Sequence, residues 1–273
     1  MLMIYTGNIR KMRSKLEEQV QYELPLYNIL EQGEFVPMNQ LIGQEISIRF
    51  DHVINCVVTG KKIKKPYGEG MSYDAFMSSP MASPSIIRPE LSRIHEGIAL
   101  RDEEWERKHH LTPHYVYLSK TSGLKVGVTR ATQIPTRWID QGAVEAVIIA
   151  ETPYRGAAGM IEVALKDYIS DKTNWRKMLT NEVSSESLLE KKEELIELIP
   201  EEYEDFIQYD GEITKINFPV LQYPTKVKSL KLDKVPIIEK KLVGVKGQYL
   251  IFEDESVINL RSHSGYQVSI ETL

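Results

Sequence analysis

A chain of 273 residues has room for one large domain or two to three small ones. With 42% hydrophobic and 27% charged residues its composition is that of an ordinary globular protein. No run of about 18 apolar residues is present to span a membrane. The single cysteine, Cys56, excludes a disulfide-stapled secreted domain. The amino terminus turns charged too early for a secretory signal, so a cytoplasmic address is expected.

The net charge is −5, but it is unevenly spread. Residues 182–212 hold twelve Asp and Glu against two Lys, and the remainder carries a net of +5. A phosphate-binding face elsewhere is therefore compatible with an acidic total. Two ordinary solvated surfaces would give the same numbers.

In chain order, the first fifty residues read as a charged, helix-like start followed by a strand. Gln44–Phe50 alternates Ile-Ser-Ile-Arg-Phe, which gives it one apolar face. Residues 51–112 are rich in Gly, Pro, Ser and Met and keep no period. Their expected core is Tyr67, Tyr73, Phe76 and Trp105. From His114 the pattern sharpens. Tyr115–Leu118 and Leu124–Thr129 form a hairpin turned at Gly123. Pro135 opens a short helix and Gly142 ends it. Ala143–Ala150 is a buried strand, and Tyr154–Ile169 a helix with Met160, Val163, Ala164 and Tyr168 on its apolar face. Strand, strand, helix, strand, helix make a small α/β unit with mixed pairing. Beyond it lies an acidic helix, capped in Ser184–Ser187 and broken at Pro200, and then strands with a hairpin at Asp254-Glu255. Gln248–Phe252 echoes Gln44–Phe50, as two strands of one layer would. The whole is α+β: segments 1–50 and 51–112, a central module 113–180, and 181–273.

Tyr115-Val116-Tyr117, then Lys125-Val126-Gly127, then Arg137, Glu162 and Asn174 follow one another in that module. The set resembles the catalytic module of GIY-YIG nucleases. The resemblance implies Tyr117 as base, Arg137 as phosphate clamp and Glu162 as ligand of Mg²⁺, with Tyr115 and Lys125 in the catalytic set. Hydrolysing a phosphodiester needs such groups: a base for water, a fixed cation for the developing charge, and a metal on the phosphate. Lys125 stands where the second phenol of that pattern would be, and the position after the arginine falls near Gln141. Arg130 and Asn174 are further candidates for substrate contact. So are Lys246 and Arg261, which with His263, Tyr249 and Tyr266 would interleave cations and aromatics, as in sites that hold single strands.

Each of these residues also has a plainer reading. Tyr117 and Tyr115 fit a half-buried strand. Arg137 can pair with Asp140 or Gln141, and Asn174 can cap a helix. Lys125 and Arg130 can keep a strand edge soluble. His109, His110 and His114 match no standard metal spacing.

Over nearly its whole length the chain resembles DUF2797, a bacterial family of unknown function. "HYVYLSKTSGLKVGVTRATQIPTRWIDQGA", "SDKTNWRKML", "GVKGQYLIF" and "NLRSHSGY" carry the likeness. The resemblance implies cysteine pairs upstream, as in a zinc module. Here Cys56 is followed by Thr59, Ser72 and Ala75 at the paired positions, and by Ser85, Ser92 and Ala99 at later ones. With only Cys56, His95 and His110 as possible ligands, no zinc is expected. DUF2797 implies no activity; the GIY-YIG resemblance implies nucleic-acid binding with Mg²⁺-dependent phosphodiester cleavage, without a membrane partner. A non-catalytic module that holds an anion or a protein in the same pocket is the alternative.

Overall fold

The structure, a computed structural model, describes residues 4–169 and 173–273. Ser170, Asp171 and Lys172, part of one stretch of family likeness, lie outside the described residues. The strands are β1 (Ile4–Ile9), β2 (Arg13–Lys15), β3 (Gln21–Asn28), β4 (Glu31–Pro37), β5 (Glu45–Asn55), β6 (Lys62–Ile63), β7 (His114–Lys120) and β8 (Leu124–Arg130). There follow β9 (Glu145–Thr152), β10 (Thr214–Lys215), β11 (Lys228–Leu230), β12 (Ile237–Lys246), β13 (Tyr249–Phe252), β14 (Ser256–Asn259) and β15 (Tyr266–Thr272). The helices are α1 (Met38–Leu41), α2 (Tyr73–Ser78), α3 (Pro84–Ile87), α4 (Glu103–His110), α5 (Thr136–Asp140), α6 (Arg155–Leu165), α7 (Trp175–Leu179) and α8 (Leu188–Ile196).

The chain divides into two compact units. Unit one takes the chain up to Met77, Leu179–Asn181 and Asn217–Leu273; unit two takes Ser78–Met178 and Glu182–Ile216. Segment 51–112 is thus shared between them.

Unit one is a sheet ordered β11-β14-β13-β12-β5-β15-β1-β3-β2, with β4 on β3 and β6 on β5. Its pairs are antiparallel except β11 with β14. The alternation seen in β5 buries Ile46, Ile48 and Phe50. The echoing segments do share this sheet, with β12 between β5 and β13. The amino-terminal region is β-structure, however, not a helix-like start. The charges of Arg13, Lys15 and Glu23 sit on exposed positions of the β2–β3 hairpin, where solvent takes them as readily as it would on a helix.

The segment after β5 is held by less apolar material than expected. Cys56, Met71 and Ala75 are its buried centre, with Val57, Ile63 and Phe76 against it. Tyr73 is 55% exposed. Trp105 belongs to the other unit and stacks on His109 at 4.1 Å.

Unit two contains a sheet ordered β10-β9-β7-β8 with every pair antiparallel. The mixed pairing expected from sequence is not formed. The crossover through α5 does make β9 run parallel to β8, but β7 lies between them. Val116, Leu118, Val126, Val128, Val147 and Ile149 fill one face of this sheet, against Ala158, Ile161 and Leu165 of α6 and Leu188 and Leu195 of α8.

Helix α6 turns a different face inward from the one its apolar residues suggest. Met160, Val163 and Tyr168 are exposed, and Ala157, Ala158, Ile161 and Leu165 are buried. The reason is room. A Cβ on Gly159 would stand 2.2 Å from the Glu90 nitrogen, and one on Gly156 would stand 2.5 Å from the Ser92 oxygen. The small-residue face takes the 89–92 backbone, and no larger face could. Among the described residues no helix is long and apolar enough to cross a membrane.

Candidate functional site

Tyr117 lies opposite Gly127 in the β7–β8 register. A Cβ at Gly127 would meet the phenol oxygen at 2.6 Å and Cζ at 2.7 Å. The glycine is thus a slot in which the tyrosine ring lies flat across the neighbouring strand. The ring is fully buried, and Trp138 of α5 meets it edge-on with centroids 6.0 Å apart. Its hydroxyl donates to Gln141 Oε1 at 3.0 Å. Burial pushes the phenol pKa up, against the pull of Arg137 and Gln141 in the other direction, and the charge of Glu162 adds to the rise.

The elements supply these groups for local reasons. A three-residue turn, Thr121–Gly123, sets the hairpin register, with the Thr121 nitrogen donating to the Gly123 oxygen at 3.0 Å. Helix α5 stops at Gly142, whose φ of +71° suits a residue without a Cβ. Strand alternation sends Val126 and Val128 to the core and turns Lys125, Gly127 and Thr129 to the side of Tyr117. Lys125 is 7% exposed.

Helix α6 adds a carboxylate and a cation. Glu162 is 8% exposed, with Lys166 Nζ 3.6 Å from its Oε2. Arg155, two turns earlier, donates to the carbonyls of Ser85 and Ile86 at 2.8 and 2.9 Å. Burial brings the Arg155 pKa down to about 10; Glu162 and Glu90 raise it, while Arg137 and Arg130 lower it. The Arg130 guanidinium is itself held down by burial. Arg137 and Glu162 thus act on both Tyr117 and Arg155, and Arg130 and Glu90 act on Arg155 as well. Arg155 went unmarked in the sequence, and Gly127 was marked only as the end of the Lys125-Val126-Gly127 motif, not as the slot for Tyr117. An arginine directly before a small-residue run, and a strand glycine opposite a tyrosine, were the available signals.

The other candidates lie elsewhere. Tyr115 lines a cavity of about 280 Å³ with Trp138, Glu151, Asp210 and Glu212, and its phenol is raised by burial and by Glu151. That cavity is acidic, unlike the surroundings of Tyr117. Exposed Asn174 is a helix cap: its Oδ1 accepts from the Lys177 nitrogen at 3.3 Å, and its nitrogen donates to Ser122 Oγ at 3.2 Å.

The basic and aromatic patch expected near the carboxyl terminus is not formed. Lys246 is 1% exposed; its Nζ donates to Asn181 Oδ1 at 2.8 Å and sits over the rings of Phe218 and Tyr223, 5.2 and 5.1 Å away. Burial pulls its pKa down to about 8. Arg261 pairs with Glu69. His263 is buried, and its Nε2 accepts from the Leu232 nitrogen at 3.2 Å. These groups hold unit one together, while the Tyr117 cluster belongs to unit two.

Cys56 accepts hydrogen bonds from the Ser72 nitrogen at 3.1 Å and the Thr59 nitrogen at 3.4 Å. Burial would raise its thiol, but the Thr59 side chain, together with the backbone N–H groups of Ser72, Thr59 and Val58, outweighs it and brings its pKa to about 7. Positions 56, 59, 72 and 75 thus gather with a single thiol among them. No group of three or more His, Cys, Asp or Glu arranged to hold a metal occurs among the described residues. Glu162 alone still suits Mg²⁺, which takes one or two carboxylates and completes its shell with water and phosphate.

No curated protein and no solved structure matches this chain. The family described as a protein of unknown function, DUF2797, matches residues 43–268. Since that match covers most of its length, the chain belongs to the DUF2797 family.

Proposed function

We propose that this protein binds nucleic acid and that the Tyr117 cluster is a GIY-YIG-like phosphodiester site whose reaction is Mg²⁺-dependent endonucleolytic cleavage. The observation that carries the reading is the gathering of Tyr117, Arg137, Arg155 and Glu162 around one neighbourhood of unit two. Arg137, a half-buried guanidinium, binds a non-bridging phosphate oxygen and stabilises the charge that grows on it. Lys125 and Arg130 neutralise the flanking phosphates. Glu162 would hold Mg²⁺ among waters, and that ion supplies positive charge to the scissile phosphate. Water adds to phosphorus as its proton passes to the Tyr117 phenolate, the P–O bond to the leaving oxygen breaks, and that oxygen takes a proton from solvent. The phenol is neutral in the resting protein, so it must first give its proton to solvent, a loss that Arg137 and Gln141 favour against burial.

A second reading has its own support. Tyr117 is sealed from solvent and Lys125 replaces a second phenol, which suits a module that holds an anion or a protein without cutting.

The test is cleavage of end-labelled single- and double-stranded DNA and RNA with Mg²⁺ or Mn²⁺, by wild type, Glu162→Ala and Arg137→Ala. The expected result is metal-dependent cleavage that Glu162→Ala abolishes and Arg137→Ala slows by about 10²–10³. Intact substrates, bound in a salt-sensitive manner by all three proteins, would establish the non-cutting reading instead.

A further inference from the structure

Unit one carries an unneutralised run of positive charge that the site above does not use. Lys61, Lys62, Lys64 and Lys65 are all exposed, on β6 and the turns beside it. None of the four is in an ion pair among the described residues. Ile63, between them, packs on the Cys56 cluster, so alternation turns Lys62 and Lys64 outward, while Lys61 and Lys65 are exposed in the irregular backbone on either side of the strand. Four like charges in five positions repel one another, and an anionic partner removes that cost.

The two ends of the run are shaped. At one end Lys61 borders a cleft of about 500 Å³ whose other walls include Ile29, Leu30 and Gly60, with Glu31 as its carboxylate. Ile29 and Leu30 are 44% and 47% exposed. Ile29 is a β-branched residue at φ +59°, a strained conformation. Two side chains hold it there: Asn8 Oδ1 accepts from its nitrogen at 3.1 Å, and Arg10 donates to its oxygen at 2.6 Å. At the other end Lys65 Nζ stands 5.6 Å from the centre of the Tyr67 ring. Tyr67 meets Tyr73 edge-on at 5.2 Å, and Tyr73 is 55% exposed. A cleft with Ile29 and Leu30 as its apolar walls, a row of ammonium groups and an open aromatic face follow one another along the chain.

We propose that this surface binds single-stranded nucleic acid, with phosphates on Lys61, Lys62, Lys64 and Lys65, a base stacked on Tyr73 and another in the cleft beside Ile29 and Leu30. Sites for single strands combine those two components, a cationic track for the backbone and aromatic faces for bases. The proposal rests on the nucleic-acid-binding part of the function above and is independent of the chemistry at Glu162.

Fluorescence anisotropy of labelled oligo(dT) and oligo(rU) over a KCl series tests it, using the full chain. Wild type, Lys61→Gln/Lys62→Gln/Lys64→Gln/Lys65→Gln, Lys64→Gln/Lys65→Gln and Tyr73→Ala are compared. The expected result is a plot of log affinity against log salt that becomes shallower by roughly 0.7 per lysine removed. Tyr73→Ala binds roughly tenfold more weakly. A fourfold variant that keeps the wild-type salt slope, or a wild type that binds phosphatidylserine vesicles and neither oligonucleotide, would overturn the proposal. An altered slope in a protein that cuts nothing would sink the nuclease reading and leave this surface standing.

Discussion

Acidification from pH 6.5 to pH 5 should destabilise unit two steeply, by about 1.4 kcal/mol per pH unit for each of two histidines. His110 and His114 are 2% and 0% exposed. Burial brings their pKa values down to about 3 and about 4, helped by the charges of Arg155 and Arg130. His114 Nδ1 lies 2.7 Å from the Thr112 oxygen and His110 Nδ1 lies 3.1 Å from Ser92 Oγ. Among the described residues neither Nε2 has a hydrogen-bond partner. Both rings are therefore neutral in the fold, while in the unfolded chain they take up protons near pH 6.5. The unfolded state binds the extra protons, so stability is full above pH 6.5 and falls as pH drops towards the folded values. Between pH 6.5 and 5 the loss approaches about 4 kcal/mol, a large part of the stability of an ordinary domain. Trp105, Trp138 and Trp175 all lie in unit two, so tryptophan fluorescence in urea reports this unit. The midpoint should fall from pH 6.5 to 5 in wild type and much less in His110→Asn/His114→Asn. Equal slopes in the two proteins would refute the assignment.

Replacing Gly127 with Ala should displace Tyr117 and cost about 1–3 kcal/mol, because the new methyl group overlaps the phenol and the surroundings are closed. Tyr117→Leu, which shortens the side chain, should cost stability by itself. The two changes together should cost less than the sum of their separate effects, by about 1 kcal/mol or more, because the overlap exists only when both groups are present. Urea unfolding of the four proteins of this cycle measures the coupling. Additive losses would mean that the ring does not lie on the glycine. Under the proposed function, Gly127→Ala should also weaken cleavage, since it moves the phenol away from Arg137.

What could be read from the sequence was what local chemistry decides. The β7–β8 hairpin, the proline and glycine that bracket α5, and the serine cap of α8 each follow from a few adjacent residues. The Ser187 hydroxyl does accept from the Glu190 nitrogen, at 3.3 Å. What distant partners decide was not legible. Lys246 reads as a surface cation until Phe218, Tyr223 and Asn181 close over it. The inward face of α6 depends on the 89–92 backbone, which lies some 70 residues earlier. Within the candidate site, the chemically active residue types were legible, but the slot that fixes Tyr117 and the cation at Arg155 were not. Both are properties of packing across elements.

The sheet of unit one has a consequence for synthesis. Its strand β5 lies between β12 and β15, which are made some 190 and 220 residues later. All of unit two, Ser78–Met178 and Glu182–Ile216, leaves the ribosome in the interval. A nascent chain halted at Ile216 already holds every residue of unit two, whereas β5 still waits with Ile46, Ile48 and Phe50 uncovered. Unpaired apolar edges of this kind are templates for aggregation. The later unit to fold is thus the one whose first strands emerge first, and the polar and charged residues that alternate along β5 keep that waiting edge in solution.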